Sequence, residues 1–191
     1  MLLLVINSYL LGSIPFAYIS TKLFKNADIR KIGSKNVGTT NVMKNIGVIP
    51  GVITAIGDAS KGILAVLIGD SMMAGGGLIG LLLAVIGHNW PVWLGFYGGG
   101  GLATMIGGLL LVSKWWIILI LIGIWGLAFL IMKKHDESAI VACSFSPFVL
   151  GYFHASWQYF FFGLLAGFVV GIKRFFSIKA NEKAFAIKKV A

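Results

Sequence analysis

Trp115-Trp116-Ile117-Ile118-Leu119-Ile120-Leu121-Ile122-Gly123-Ile124-Trp125-Gly126-Leu127-Ala128-Phe129-Leu130-Ile131-Met132 contains no charged residue and no turn-forming cluster. A helix of about 20 apolar residues is what the hydrocarbon core of a bilayer requires. This run therefore reads as a membrane span, and the rest of the chain repeats the pattern. Of its 191 residues, 58% are hydrophobic and 12% charged, with a mean hydropathy of +0.93. A soluble domain carries about a quarter charged residues. The class is an all-α integral membrane protein.

Apolar runs place spans near 2–21, 47–68, 73–95, 102–113, 115–132, 138–151 and 156–172, about seven transmembrane helices in all. Segments 102–113 and 138–151 are short. Helix of that length rises only about 18–21 Å against a core of roughly 30 Å. They are expected as partial or buried spans, covered by protein walls or a water-filled cleft. Residues 1–21 lack the basic start and small-residue cleavage site of a signal peptide, so they read as a retained first span.

Charge placement orients the chain. Lys22, Lys25, Arg30, Lys31, Lys35 and Lys44 fall in the first loop, and Lys133 and Lys134 in a later one. Lys173, Arg174, Lys179, Lys183, Lys188 and Lys189 fill the C-terminal tail. Seven crossings put all of these on one face, leaving only Lys61 and Lys114 elsewhere. The positive-inside rule then sets the N-terminus outside and the C-terminus in the cytoplasm. The net charge of +10 is accounted for by topology and gives no nucleic-acid signal. Residues 1–172 are expected as one transmembrane domain, and 173–191 as a basic cytoplasmic tail lying along anionic headgroups. No internal repeat is visible, which argues against an inverted-repeat transporter. One cysteine, Cys143, excludes an internal disulfide and reads as a small core residue. No residue cluster calls for a metal, and no cofactor is implied.

Two polar segments interrupt the apolar pattern. Gly33-Ser34-Lys35-Asn36-Val37-Gly38-Thr39-Thr40-Asn41 concentrates small residues, hydroxyls and amides in a basic loop. Solvated loops explain lysines but not this density of Ser, Thr, Asn and Gly. Such a composition turns several backbone N–H groups and side-chain donors toward one anion. Arg30 and Lys44 could neutralise a phosphate there. Gly98-Gly99-Gly100-Gly101 runs directly into a helix near Leu102, where orphan N–H groups and the helix dipole favour anions. Inside the spans, Asp58 and Lys61 lie three apart on one helix face, a spacing that lets them pair in a setting where a lone charge is costly. His88 and Asn89 sit near the end of the third span, where His88 reads as a packing residue or a general base. His135 and His154 carry little signal.

These motifs together resemble the bacterial acyl-phosphate-dependent glycerol-3-phosphate 1-acyltransferases. The resemblance runs from Gly12-Ser13-Ile14-Pro15-Phe16 through Asp28-Ile29-Arg30 and the 33–42 loop. It continues through Asp58-x-x-Lys61-Gly62, Gly87-His88-x-x-Pro91 and Gly98-Gly99-x-Gly101-x-Ala103-Thr104. It implies a multi-pass enzyme of the bacterial inner membrane with its site on the cytoplasmic side. The reaction implied is acyl transfer from acyl phosphate to the 1-hydroxyl of glycerol 3-phosphate, giving lysophosphatidate for phospholipid synthesis. The partners implied are those two substrates and membrane lipids.

By the same resemblance, Ser34, Asn36 and Asn41 belong to the reaction centre. Gly33, Lys35, Gly38, Thr40, Lys44, Gly98, Gly99, Gly101 and Thr104 belong to substrate and phosphate binding, with Asp58, Lys61 and His88 supporting them. The chain departs from the family pattern in places. Gly100 stands where the family has lysine, Tyr97 replaces a cation, and Lys44 replaces an arginine. Lys173-Arg174-Phe175-Phe176-Ser177-Ile178 lacks the family's His, Glu and Asn. Lys35, which stands where the family has glycine, is expected to supply the missing ammonium. A diverged non-catalytic paralogue binding a phosphorylated lipid or partner is the alternative, with a small-solute transporter behind it.

Overall fold

The computed structural model describes residues 1–190, with side chains through Lys179; Lys183, Lys188 and Lys189 of the expected tail lie outside the described side chains. Among the described residues every regular element is helical. Five stretches are long and apolar enough to cross a bilayer: Leu2–Lys25, Val48–Met72, Gly76–Leu94, Trp115–Met132 and Trp157–Lys179. The chain divides into two compact units, Met1–Lys114 and a second beginning at Trp115.

In the first unit, the expected span 2–21 is broken. Helix α1 (Leu2–Ser13) stops at Ile14, and α2 (Phe16–Lys25) restarts after Pro15. Proline lacks the N–H a continuous helix needs and restricts the residue before it. A loop with one 3₁₀ turn, Ile29–Lys31, leads to the short helix α3 (Thr39–Asn45). Helix α4 (Val48–Met72) then runs the length of the unit and returns as α5 (Gly76–Asn89). After the glycine run comes α6 (Leu102–Val112), only 11 residues long, so it remains short as the sequence indicates.

Small residues let these helices approach closely. A Cβ on Gly62 of α4 would overlap the Thr104 carbonyl and lie 2.8 Å from the Gly108 nitrogen of α6. Van der Waals contact at small residues is the main adhesive available to helices in lipid. Polar ties supplement it. Tyr9 Oη donates to the Trp90 carbonyl at 2.8 Å, and Ser20 Oγ donates to the Pro50 carbonyl at 2.8 Å.

In the second unit, α7 (Trp115–Met132) matches the opening run residue for residue and has only 17% of its span buried within the protein. An apolar helix so exposed suits a lipid surrounding. The segment expected at 138–151 is longer than read: α8 covers His135–His154, 20 residues. Asp136 and Glu137 in its first turn complement the helix dipole, so the helix starts among charged residues that hydropathy excludes. Helix α9 (Trp157–Val190) packs against α8, where Ser146 Oγ donates to the Gly163 carbonyl at 3.0 Å.

Candidate active site

The first loop is a built structure with its own core. Ala17, Ile29, Val37, Val42 and Leu94 are buried together beneath it, with Tyr18, Ile32 and Ile46 packed around them. Burying a large aliphatic side chain contributes about 1.5–3 kcal/mol, so this core can hold an otherwise polar loop in one conformation.

Asn41 is the hub. Its Nδ2 donates to the carbonyls of Asn36 at 2.9 Å and Ile32 at 3.0 Å, with a longer approach to Ile29. Its Oδ1 accepts from the Ser34 amide at 3.2 Å and from Asn45 Nδ2 at 2.9 Å. An amide offers two donors and one acceptor oxygen, and all are committed within the loop. Asn41 is 4% exposed and therefore holds the loop's shape. Asn45 supports it from one helical turn away, a partner that sequence reading missed although the i,i+4 amide pair was visible.

Asp28 and Arg30 close the loop's base. Arg30 donates through Nε at 3.0 Å and Nη2 at 2.7 Å to the two Asp28 carboxylate oxygens, and its guanidinium lies 5.6 Å from the Tyr18 ring centroid. The hydrogen-bonded Arg30 holds the Asp28 carboxyl below its usual range. Arg30, read from sequence as a phosphate neutraliser, is thus tied to Asp28 and to the Leu94 carbonyl.

The remaining polar side chains point the other way. Ser34, Lys35, Thr40 and Lys44 are exposed and Asn36 is half-buried. None of these five side chains takes part in the hydrogen bonds that hold the loop. Lys35 adopts φ +61°, and Gly33 before it φ +55°. A left-handed lysine is uncommon and costs about 1–2 kcal/mol, so the loop's fixed path holds it there. The loop therefore presents hydroxyls, an amide and two ammoniums outward, while its only carboxylate is neutralised at the base.

The glycine run lies directly behind this loop. Gly98, Gly99, Gly100 and Gly101 are all buried. The Gly99 amide donates to the His88 carbonyl at 3.1 Å. A Cβ on Gly99 would overlap both His88 Nε2 and the Val37 carbonyl. Loop and glycine run thus meet at that point, with the imidazole of His88 packed beside the contact, and only a residue without a side chain fits. Gly101 abuts Asn89 Oδ1 and opens α6, whose first turn carries the fully buried Thr104. Helix starts leave their first N–H groups without helical partners, the property that makes them anion sites.

Asp58, Lys61 and His88 converge under both segments. Lys61 Nζ lies 2.9 Å from Asp58 Oδ1, 2.9 Å from His88 Nδ1 and 2.9 Å from the Ile14 carbonyl. The break before Pro15 frees that carbonyl from the helical ladder. With Val37 and Pro91, these residues line a narrow cavity. Every site residue expected from sequence thus falls in the first unit. In the second unit, Arg174 pairs with Asp136, which also accepts from Ser177 Oγ at 3.3 Å.

The sequence profile of the glycerol-3-phosphate acyltransferase family matches residues 2–181. The chain belongs to this family. It is 40% identical to glycerol-3-phosphate acyltransferase 2 of Moorella thermoacetica, over 86% of this chain and 85% of that one. It is 37% identical to the glycerol-3-phosphate acyltransferase of Carboxydothermus hydrogenoformans, over 85% and 83%. Among solved structures, the fold matches PlsY, an integral membrane glycerol 3-phosphate acyltransferase, in its glycerol 3-phosphate form. The TM-score is 0.80 at 30% identity, covering 96% of this chain and 92% of that one. The lysophosphatidic acid form of the same enzyme matches with a TM-score of 0.78. The solved PlsY thus has the same helical fold as this chain.

Proposed function

We propose that this chain transfers a fatty acyl group from acyl phosphate to the 1-hydroxyl of glycerol 3-phosphate, giving lysophosphatidate and inorganic phosphate. Family membership supports the acceptor, and the acyl-phosphate donor follows from the motif resemblance. The observation that carries the reading is the meeting of the two phosphate-suited loops at Gly99. Both substrates carry phosphate, so two anion sites side by side are what the reaction needs.

In this reading the 1-hydroxyl oxygen attacks the acyl carbonyl carbon, the carbon–oxygen bond to phosphate breaks, and phosphate leaves with the electron pair. The hydroxyl proton passes to a phosphate oxygen, so no protein base is required. Ser34 Oγ and the Asn36 amide orient the reacting groups, and Asn41 keeps both in place. The N–H groups at the start of α6 hold one phosphate, with Gly98, Gly101 and Thr104 shaping that turn. Lys35, Lys44, Thr40, Gly33 and Gly38 form the facing edge, where Lys35 supplies the ammonium that Gly100 does not. Seven crossings with the N-terminus outside, the short α6 among them, would put the site on the cytoplasmic side of the bacterial inner membrane. The same topology places the basic tail 173–191 along anionic headgroups.

Purified protein in detergent, given acyl phosphate and glycerol 3-phosphate, should form lysophosphatidate detectable by mass spectrometry. Absence of product, under conditions where a PlsY enzyme turns over, would refute the reading.

A further inference from the structure

Lys61 is among the largest fully buried side chains, at 1% exposure, with Asp58 at 2% and His88 at 7%. Charged residues in such a place are costly to keep. Their geometry indicates what they do. An ammonium has three protons and no acceptor; Lys61 Nζ donates to the Ile14 carbonyl at 2.9 Å, meets His88 Nδ1 at 2.9 Å and is ion-paired with Asp58 Oδ1 at 2.9 Å. His88 Nδ1 also lies 3.4 Å from Asp58 Oδ1, but its 2.9 Å approach to Lys61 is the shorter one and an ammonium cannot accept, so Nδ1 is the unprotonated ring nitrogen and the ring proton sits on Nε2. That Nε2 edge faces the spot shared by Gly99 and the Val37 carbonyl.

We propose that Asp58, Lys61 and His88 form a positioning triad in which Lys61 locks His88 as the Nε2–H tautomer and holds its ring against the point where the two loops meet. The triad joins four elements: the broken first helix through Ile14, α4 through Asp58 and Lys61, α5 through His88, and the glycine run through Gly99. Asp58 balances the Lys61 charge, so the cluster is closed without a substrate. The tautomer follows from the geometry alone, whereas its effect on kinetics rests on the acyltransfer reading.

Nitrogen-15 NMR of histidine-labelled full-length protein in detergent tests the first part. The chain has 3 histidines, and His88 is assigned as the ring signal lost in His88→Gln but kept in His135→Gln and His154→Gln. The expected spectrum shows a single neutral tautomer, with Nε2 protonated and Nδ1 accepting a hydrogen bond. A Nδ1–H tautomer in the native protein overturns the proposal. The double variant Asp58→Asn/Lys61→Met removes both charges at nearly constant volume. It should release the ring into a mixture of tautomers and raise KM for glycerol 3-phosphate roughly tenfold, with kcat within about twofold. An unchanged ring signal and unchanged KM in that variant also overturn it. Should the double variant not fold, the native spectrum still decides, and it does so whether or not the protein makes lysophosphatidate.

Discussion

Replacing Gly99 with alanine adds one methyl group at the point where the structure is least able to take it. The new Cβ would overlap the Val37 carbonyl and His88 Nε2 and lie 3.1 Å from His88 Cε1. The Gly99 φ is not in the left-handed region, so the cost is purely steric. The Val37 oxygen is main chain over a buried core, and the His88 ring is held by Lys61, so neither neighbour yields easily. Overpacking of this kind costs about 1–3 kcal/mol. If the protein relieves it by spreading the two loops, that energy is taken from substrate positioning. At 1.4 kcal/mol per decade, kcat/KM should fall roughly five- to 150-fold. Steady-state kinetics in detergent, alongside a thermal melt, reads both parts. The expected result is a large fall in kcat/KM for glycerol 3-phosphate with a melt lowered by a few degrees. Native kinetics in Gly99→Ala would refute the claim that the loops meet there.

Other perturbations follow from the same geometry. Asn41→Ala removes the loop's hub; at about 1 kcal/mol net per hydrogen bond, it should lower stability by about 2–4 kcal/mol in denaturant titration and cut kcat/KM more than tenfold. Ser34→Ala leaves the loop bonds intact, since only the Ser34 backbone is used in them, and should lower kcat roughly ten- to a hundredfold with no change in the melt. Lys35→Ala should raise KM for a phosphate-bearing substrate roughly tenfold, with the difference shrinking at high salt; unchanged KM would remove Lys35 from the site. Arg30 holds the Asp28 carboxyl below the ordinary carboxylate range, so its contribution to loop stability is present above that range and lost as pH falls through the lower folded-state value. Hydrogen exchange of the loop amides should therefore stay slow down to about pH 4, while Asp28→Asn should show faster exchange at neutral pH.

Much of the frame was legible because lipid imposes long, uncharged helices. The run 115–132 emerged with its boundaries intact. The first span did not, because hydropathy averages across Ile14-Pro15 while proline interrupts the hydrogen-bond ladder there. The start of α8 was misplaced for the opposite reason: Asp136 and Glu137 stop an apolar run but suit a helix N-terminus. At the site, composition singled out both loops and the resemblance selected their residues. It did not show that they touch, since contact between Val37 and Gly99 joins residues 62 positions apart, backbone against backbone, where composition carries no signal. Nor could it separate Asn41, buried and committed to the loop, from Ser34 and Asn36, which stand in the same motif with their side chains uncommitted. That distinction depends on hydrogen-bond direction, which spacing does not encode.

The central claim is coupled transfer between two phosphate compounds. The most direct measurement is inorganic phosphate released from acyl phosphate by purified protein, with and without glycerol 3-phosphate, alongside lysophosphatidate in the same samples. The account predicts release that depends on glycerol 3-phosphate, with about one phosphate per lysophosphatidate, as the balanced reaction requires. Release that is independent of the acceptor, or lysophosphatidate formed without phosphate release, would contradict it.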